Sequence, residues 1–123
     1  MFSDVFKEVL KHNGVVSVTS WSKGNVHVAN TWNSYLQLHG EDEILIPAAW
    51  FNITEKNVMS NNQVIMTFGS PDVQGKMYMG TGFVVEGPAS FLREGEVFDE
   101  MKEKFPFLTK VLVIKAEKIK QTI

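Results

Sequence analysis

Apolar, often β-branched residues alternate with polar ones in one short segment after another of this chain, and no helical spacing regularly separates one segment from the next. That pattern excludes most folds. Parallel neighbours need a crossover of a dozen or more residues, usually a helix, whereas antiparallel neighbours need only a turn. The chain therefore reads as mainly β and antiparallel, with about six strands and three short helices. Six strands of this length favour closure into a small barrel, because closure removes exposed edges.

Taken in order, residues 3–12 read as a helix. Ser3 is its cap, Asp4 suits the positive end of the dipole, and Phe2, Phe6, Val9 and Leu10 form the apolar stripe. Asn13-Gly14 is a stop signal. Residues 15–20 read as a strand, and Ser22-Lys23-Gly24-Asn25 as the turn of a hairpin into a long strand over 26–38. Another strand follows through Ile44 and Ile46, and Pro47 is expected to end its pairing or to lie on an edge. A second helix is expected from Asn52 to about residue 61, capped by Asn52 with Glu55 or by Thr54 with Asn57. Strands are expected over 63–70 and 81–91, the second broken at Gly87-Pro88, with a loop over 71–80 between them. A third helix spans 96–105 and ends at Pro106. The last strand covers 108–119.

The long strand carries the most information. Its even positions are Val26, Val28, Asn30, Trp32, Ser34, Leu36 and Leu38, an apolar face with a polar notch. Its odd positions include Thr31, Asn33 and Tyr35. A strand that only builds core would carry Val, Ile or Leu at 30 and 34, since unsatisfied buried polar groups cost roughly 1–3 kcal/mol each. These groups call for a flat polar partner, for water at a sheet edge, or for a second chain.

Composition narrows the chemistry. The 123 residues suit one domain spanning 1–123, with a net charge of -2 and no cysteine. Disulfides and cysteine-ligated metals are excluded, so any redox role falls to a bound cofactor. No basic stripe interleaved with aromatics invites nucleic acid, and no apolar run is long enough to span a membrane. Charges in the first residues are unlike a signal peptide, so a cytoplasmic protein is expected. His12, His27 and His39 lack metal-ligand spacing and read as surface or loop residues. Asp99, Glu100 and Glu103 read as a solvated helix face. No nucleophilic triad or zinc motif is present. What remains is a pocket without side-chain catalysis. It would be built from mid-strand polar groups, a Pro-Ala-Ala edge, a helix start able to seat a phosphate, and Gly80-Thr81-Gly82 as a place of close backbone approach. Such a set suits a planar, phosphorylated cofactor such as a flavin.

The ordered pieces Val-His-Val-Ala-Asn-Thr-Trp-Asn-Ser-Tyr-Leu, the Ile-Pro step, Thr-Glu-x-Asn-Val, Val-x-Met-Thr-x-Gly-Ser, Gly-Thr-Gly-Phe and the closing Gln-Thr-Ile are similar to the FMN-binding split-barrel family, related to pyridoxamine phosphate oxidase. The likeness runs nearly end to end. It implies a six-stranded antiparallel split β-barrel and a homodimer holding one FMN per subunit near the interface. It implies Asn30, Thr31 and Thr54 around the phosphate and flavin edge, with Asn33 from the same motif. Pro47, Ala48 and Ala49 would run along the ring, with Gly80, Thr81, Gly82 and Phe83 nearby. Trp32, Tyr35 and Phe107 would approach the isoalloxazine, and Ile123 would reach the flavin of the other subunit. The family's small FMN-binding members carry a lysine just before the helix-start threonine, where this chain has Ile53, with Lys56 one turn on. They carry an acidic residue where this chain has Asn13. The expected function is electron transfer with an unidentified redox partner. The alternatives are a split-barrel module that has lost or weakened FMN binding and holds another flat ligand, and, last, an oxidase-like oxidoreductase.

Overall fold

In the computed structural model, which describes residues 1–123, antiparallel pairing occupies most of the chain. The strands are β1 (Val15–Ser22), β2 (Asn25–Trp32), β3 (Gln37–His39), β4 (Glu43–Ala48), β5 (Gln63–Gln74), β6 (Met79–Leu92), β7 (Lys110–Lys115) and β8 (Lys118–Gln121). The helices are α1 (Asp4–Val9), α2 (Asn52–Ser60) and α3 (Glu96–Lys104). The sheet runs β2-β1-β5-β6-β7-β4-β3, with β8 also on β6. Every pairing is antiparallel.

Eight strands replace the expected six because two long segments each divide. The segment over 26–38 breaks at a 3₁₀ turn, Asn33–Tyr35. The Asn33 amide bonds the Gly14 carbonyl at 3.0 Å, and the Asn33 Nδ2 lies 3.0–3.4 Å from the carbonyls of Val9, His12 and Gly69. Tertiary acceptors thus draw Asn33 inward and bend the chain. The face assignment reverses too. Val26, Val28 and Trp32 are 69%, 54% and 53% exposed, while Thr31 on the odd face is buried. The final segment divides between Lys115 and Lys118. The Ala116 amide bonds the Asp42 carbonyl and the Glu117 amide the Glu86 carbonyl, which carries the chain from β7 to β8 across Gly87. A Cβ at Gly87 would collide with the Lys115 carbonyl, so this crossing requires a glycine.

Other boundaries differ. β5 continues through Gln74 into the expected loop, and Gly87-Pro88 does not interrupt β6. Pro47 lies on an edge, as expected: β4 pairs there with Val111 of β7 alone, because β3 reaches only as far as Leu45. The hairpin between β1 and β2 turns at Lys23 (φ 52°) and Gly24 (φ 82°), left-handed at both positions as a tight hairpin demands. Ser3 caps α1 as expected, accepting from the Phe6 amide at 3.1 Å.

The core gathers Val16, Val18, Ile44, Ile46, Met66, Leu112 and Ile114 under the sheet. Phe6 of α1 meets Phe68 and Phe83 with centroids 4.8 and 5.1 Å apart, so the first helix is held by edge-on aromatic packing. A smaller cluster seats α3, through Met101, against Leu45, Leu108 and Val111. No helix is long and apolar enough to cross a membrane.

Candidate functional site

A cleft of about 650 Å³ opens between β2, the end of β4, the start of α2 and the segment before β7. Of the residues singled out in the sequence, Asn30, Thr31, Trp32, Tyr35, Pro47, Ala49 and Phe107 line it. Each arrives for a local reason. β2 supplies Asn30, Thr31 and Trp32, and the Asn30 Nδ2 is braced on the Val16 carbonyl at 3.2 Å. The 3₁₀ turn swings Tyr35 against Phe105 and Phe107, with centroids 5.4 and 5.5 Å away. The Pro-Ala-Ala edge is tied to the opposite wall by Thr109, whose amide bonds the Ala48 carbonyl at 2.9 Å and whose hydroxyl bonds the Ala49 carbonyl at 3.1 Å.

Phe51 then adopts a left-handed backbone, φ 44° and ψ 29°. For a bulky side chain this conformation is strained, and such strain clusters at ligand clamps. It turns the chain so sharply that α2 begins at Asn52 with its first residues on the cleft. Neither expected capping pair forms, and Phe51 itself occupies the cap position without a side-chain bond. The first turn of α2 therefore keeps its amides and its partial positive charge for another acceptor.

Other expected site residues lie elsewhere. Asn33 is fully buried and is spent on the carbonyls around the 3₁₀ turn. Ala48 is buried within β4, between two residues that do reach the cleft. Thr54 is fully buried in α2, and its Oγ1 has no hydrogen-bond partner. Gly80, Thr81, Gly82, Phe83 and Ile123 belong to a second cleft of about 600 Å³ that shares no residue with the first. There the Gln121 Nε2 bonds the Thr81 Oγ1 at 2.9 Å, and the Thr122 amide bonds the Gly82 carbonyl at 2.9 Å.

Several lining residues escaped sequence reasoning. His27, read as a surface or loop residue, is half-buried on the cleft wall. Trp50, 79% exposed directly after the Pro-Ala-Ala edge, was the available signal for an aromatic rim. Lys110 gave none. It sits in β7 at 2% exposure, and its Nζ reaches the Asn52 Oδ1 at 3.0 Å and the Glu55 Oε1 at 2.9 Å. Arg93 grips the same Glu55 carboxylate with two bonds, at 2.5 and 2.7 Å. The Arg93 guanidinium, with Lys110 adding to it against the opposing effect of burial, pulls the Glu55 carboxyl down to about 2.

The arrangement offers a slot with aromatic walls, a backbone edge along one side, amide and hydroxyl groups from β2, and a free helix start at one end. Against known proteins, residues 2–123 match the family described as Pyridoxamine 5'-phosphate oxidase. The chain is 37% identical, over its full length and that of the relative, to an FMN-binding protein of Nitratidesulfovibrio vulgaris. Its fold resembles a HupZ variant of Group A Streptococcus, with a TM-score of 0.80 at 16% identity, covering 99% of this chain and 100% of that one. It also resembles an FMN-binding protein of Syntrophomonas wolfei, with a TM-score of 0.72 at 23% identity, covering 88% of this chain and 76% of that one.

Proposed function

The chain belongs to the pyridoxamine 5'-phosphate oxidase family, and from that membership we propose that it is an FMN-binding flavoprotein, a split barrel that holds the flavin non-covalently and passes electrons. The observation that carries this reading is the cleft itself. Its volume lies within the range of small-molecule sites, and few polar groups are set among aromatic walls, as such sites require.

The residues fit the group. The free amides at the start of α2 suit a phosphate, as does the Thr54 hydroxyl, a buried group still lacking a partner one residue beyond the cleft-lining Ile53. Trp32, Tyr35 and Phe107 supply flat apolar contact for a ring system, and the Pro47–Ala49 edge lets backbone approach its rim. A bound flavin supplies the capacity to accept and return electrons, which no side chain here has. The protein's share is to bind, to orient and to exclude water.

We place the flavin at a homodimer interface. Val26, Val28 and Trp32 present an apolar strand face to solvent beside the cleft, and the second cleft, with exposed Ile123, is a separate half-site within one chain. A two-fold pairing that sets one subunit's Ile123 over the other's flavin brings the two clefts together and covers both apolar surfaces.

The test is the visible absorption spectrum of the purified protein before and after adding FMN. A flavin spectrum that survives gel filtration at one FMN per chain supports the reading. A colourless protein that takes up no added FMN overturns it and leaves a barrel for another flat ligand.

A further inference from the structure

Lys110 is a charged side chain inside the protein, and such groups are costly to bury unless paired. Its three neighbours are the Glu55 carboxylate, the Asn52 carboxamide and the Phe91 ring, whose centroid lies 5.4 Å away. Arg93 already satisfies Glu55 with two bonds. The cluster thus holds two cations and one anion, one positive charge more than it needs. A lysine that only pinned α2 to the sheet would not require that surplus.

The bond to Asn52 has a directional consequence. An ammonium only donates, so the carboxamide must turn its oxygen toward Lys110. Its amino group is then directed away from Lys110, and Asn52, the first residue of α2, lines the cleft. The Asn52 amino group has no partner within the protein. The two N–H donors of Asn52 and the unpaired amides of the helix start thus belong to adjacent residues at one end of the cleft. Behind them stands a buried positive charge, which acts more strongly there than it would in water.

We infer that Lys110 is a positioning residue for the ligand's phosphate: it orients the Asn52 carboxamide toward the phosphate and supplies from behind the charge that the solvent-exposed Ile53 cannot. The inference rests on the flavin reading above. It explains how this chain holds a phosphate monoester with an isoleucine at position 53, where the resemblance calls for a lysine.

The experiment compares dissociation constants for FMN and riboflavin, which share the ring and ribityl chain and differ in the phosphate. The proteins are the wild type, Lys110→Met, Asn52→Ala and the double variant. Methionine keeps the length and loses the charge. Lys110→Met is expected to weaken FMN about tenfold or more, while riboflavin changes less than about twofold. Asn52→Ala is expected to act in the same sense, and the double variant to lose no more than Lys110→Met alone, because the two residues act as one unit. Parallel losses for both ligands would make Lys110 a clamp on the fold and overturn the inference, as would an unchanged FMN constant. A wild type that binds neither ligand instead overturns the flavin reading itself, and this inference with it. Asn52→Ala alters only an exposed residue, so it still decides the question if Lys110→Met fails to fold.

Discussion

The backbone amide of Lys76, in the turn between β5 and β6, donates to the carbonyl oxygen of Ile123 at 2.6 Å. An apolar residue in that position would ordinarily fray, yet here its backbone is held while the residue stays 64% exposed. Holding the backbone and leaving the side chain free is the arrangement expected of a group that covers something on another surface. Ile123→Ala should therefore leave the melting temperature of the FMN-free protein within about 1 °C, since little packing is lost. It should weaken FMN up to about tenfold, the worth of the apolar area removed. Unchanged affinity in a titration followed by flavin fluorescence would remove Ile123 from the site.

Gly75 tests the same anchor from the other side. A Cβ there would collide with the Gly80 carbonyl oxygen and fall 2.5 Å from that of Ile123, so Gly75→Ala must displace the turn together with the segment held on it. Hydrogen exchange at the amides of Lys76 and Thr122 should rise by about tenfold or more, while the amides of β1 and β5 keep their protection. Uniformly faster exchange would mean that the substitution destabilises the whole fold.

Asn33 predicts a stability effect without a binding effect. Its side-chain amino group lies within reach of three carbonyls, one buried and two partly buried, and its Oδ1 is unpartnered. Asn33→Ala should cost about 2–4 kcal/mol in urea denaturation by leaving those carbonyls unmet. The folded fraction should still bind FMN with nearly native affinity, because Asn33 does not line the cleft. A large loss of affinity at full folding would return Asn33 to the site.

The Glu55 carboxyl is held at about 2, below its ordinary 4.5, chiefly by Arg93. A depressed folded-state pKa contributes stability that is fully present above the unfolded value and lost as pH falls through the folded one. The wild type should exceed Glu55→Gln by about 1–2 kcal/mol at pH 7, allowing for the partly exposed Arg93 partner. That gap should close between pH 4.5 and 2, where protonated glutamic acid comes to resemble glutamine. A gap that stayed constant down to pH 2 would show that the ion pairs contribute nothing to it.

The outer face of β2 predicts the assembly. Val28 is 54% exposed at the centre of the strand. Val28→Glu should convert the proposed dimer into a monomer by light scattering, since it sets a charge in the apolar face that the pairing would bury. FMN retention should fall with it. A monomeric wild type would refute the interface.

Much of the local structure was legible in the residues. The stripe of α1, its Ser3 cap and the Lys23-Gly24 turn all follow from propensity and alternation, which act over a few neighbours. The motif from Asn30 to Tyr35 likewise pointed to the cleft, and most of its members line it. Tertiary structure decided what depends on partners distant in sequence. Asn33 looks like any polar residue on a strand until the carbonyls of Val9, His12 and Gly69 draw it inward and break that strand in two. The alternation along β2 predicted two faces, but only the packing of α2 against it settled which face is buried. Lys110 carries no sign of burial in the sequence, and its burial follows from Asn52, Glu55 and Phe91 closing over it, the first two more than fifty residues away. Periodicity shows that a side chain has a side. Only the folded neighbours determine whether that side meets water, a charge or a ligand.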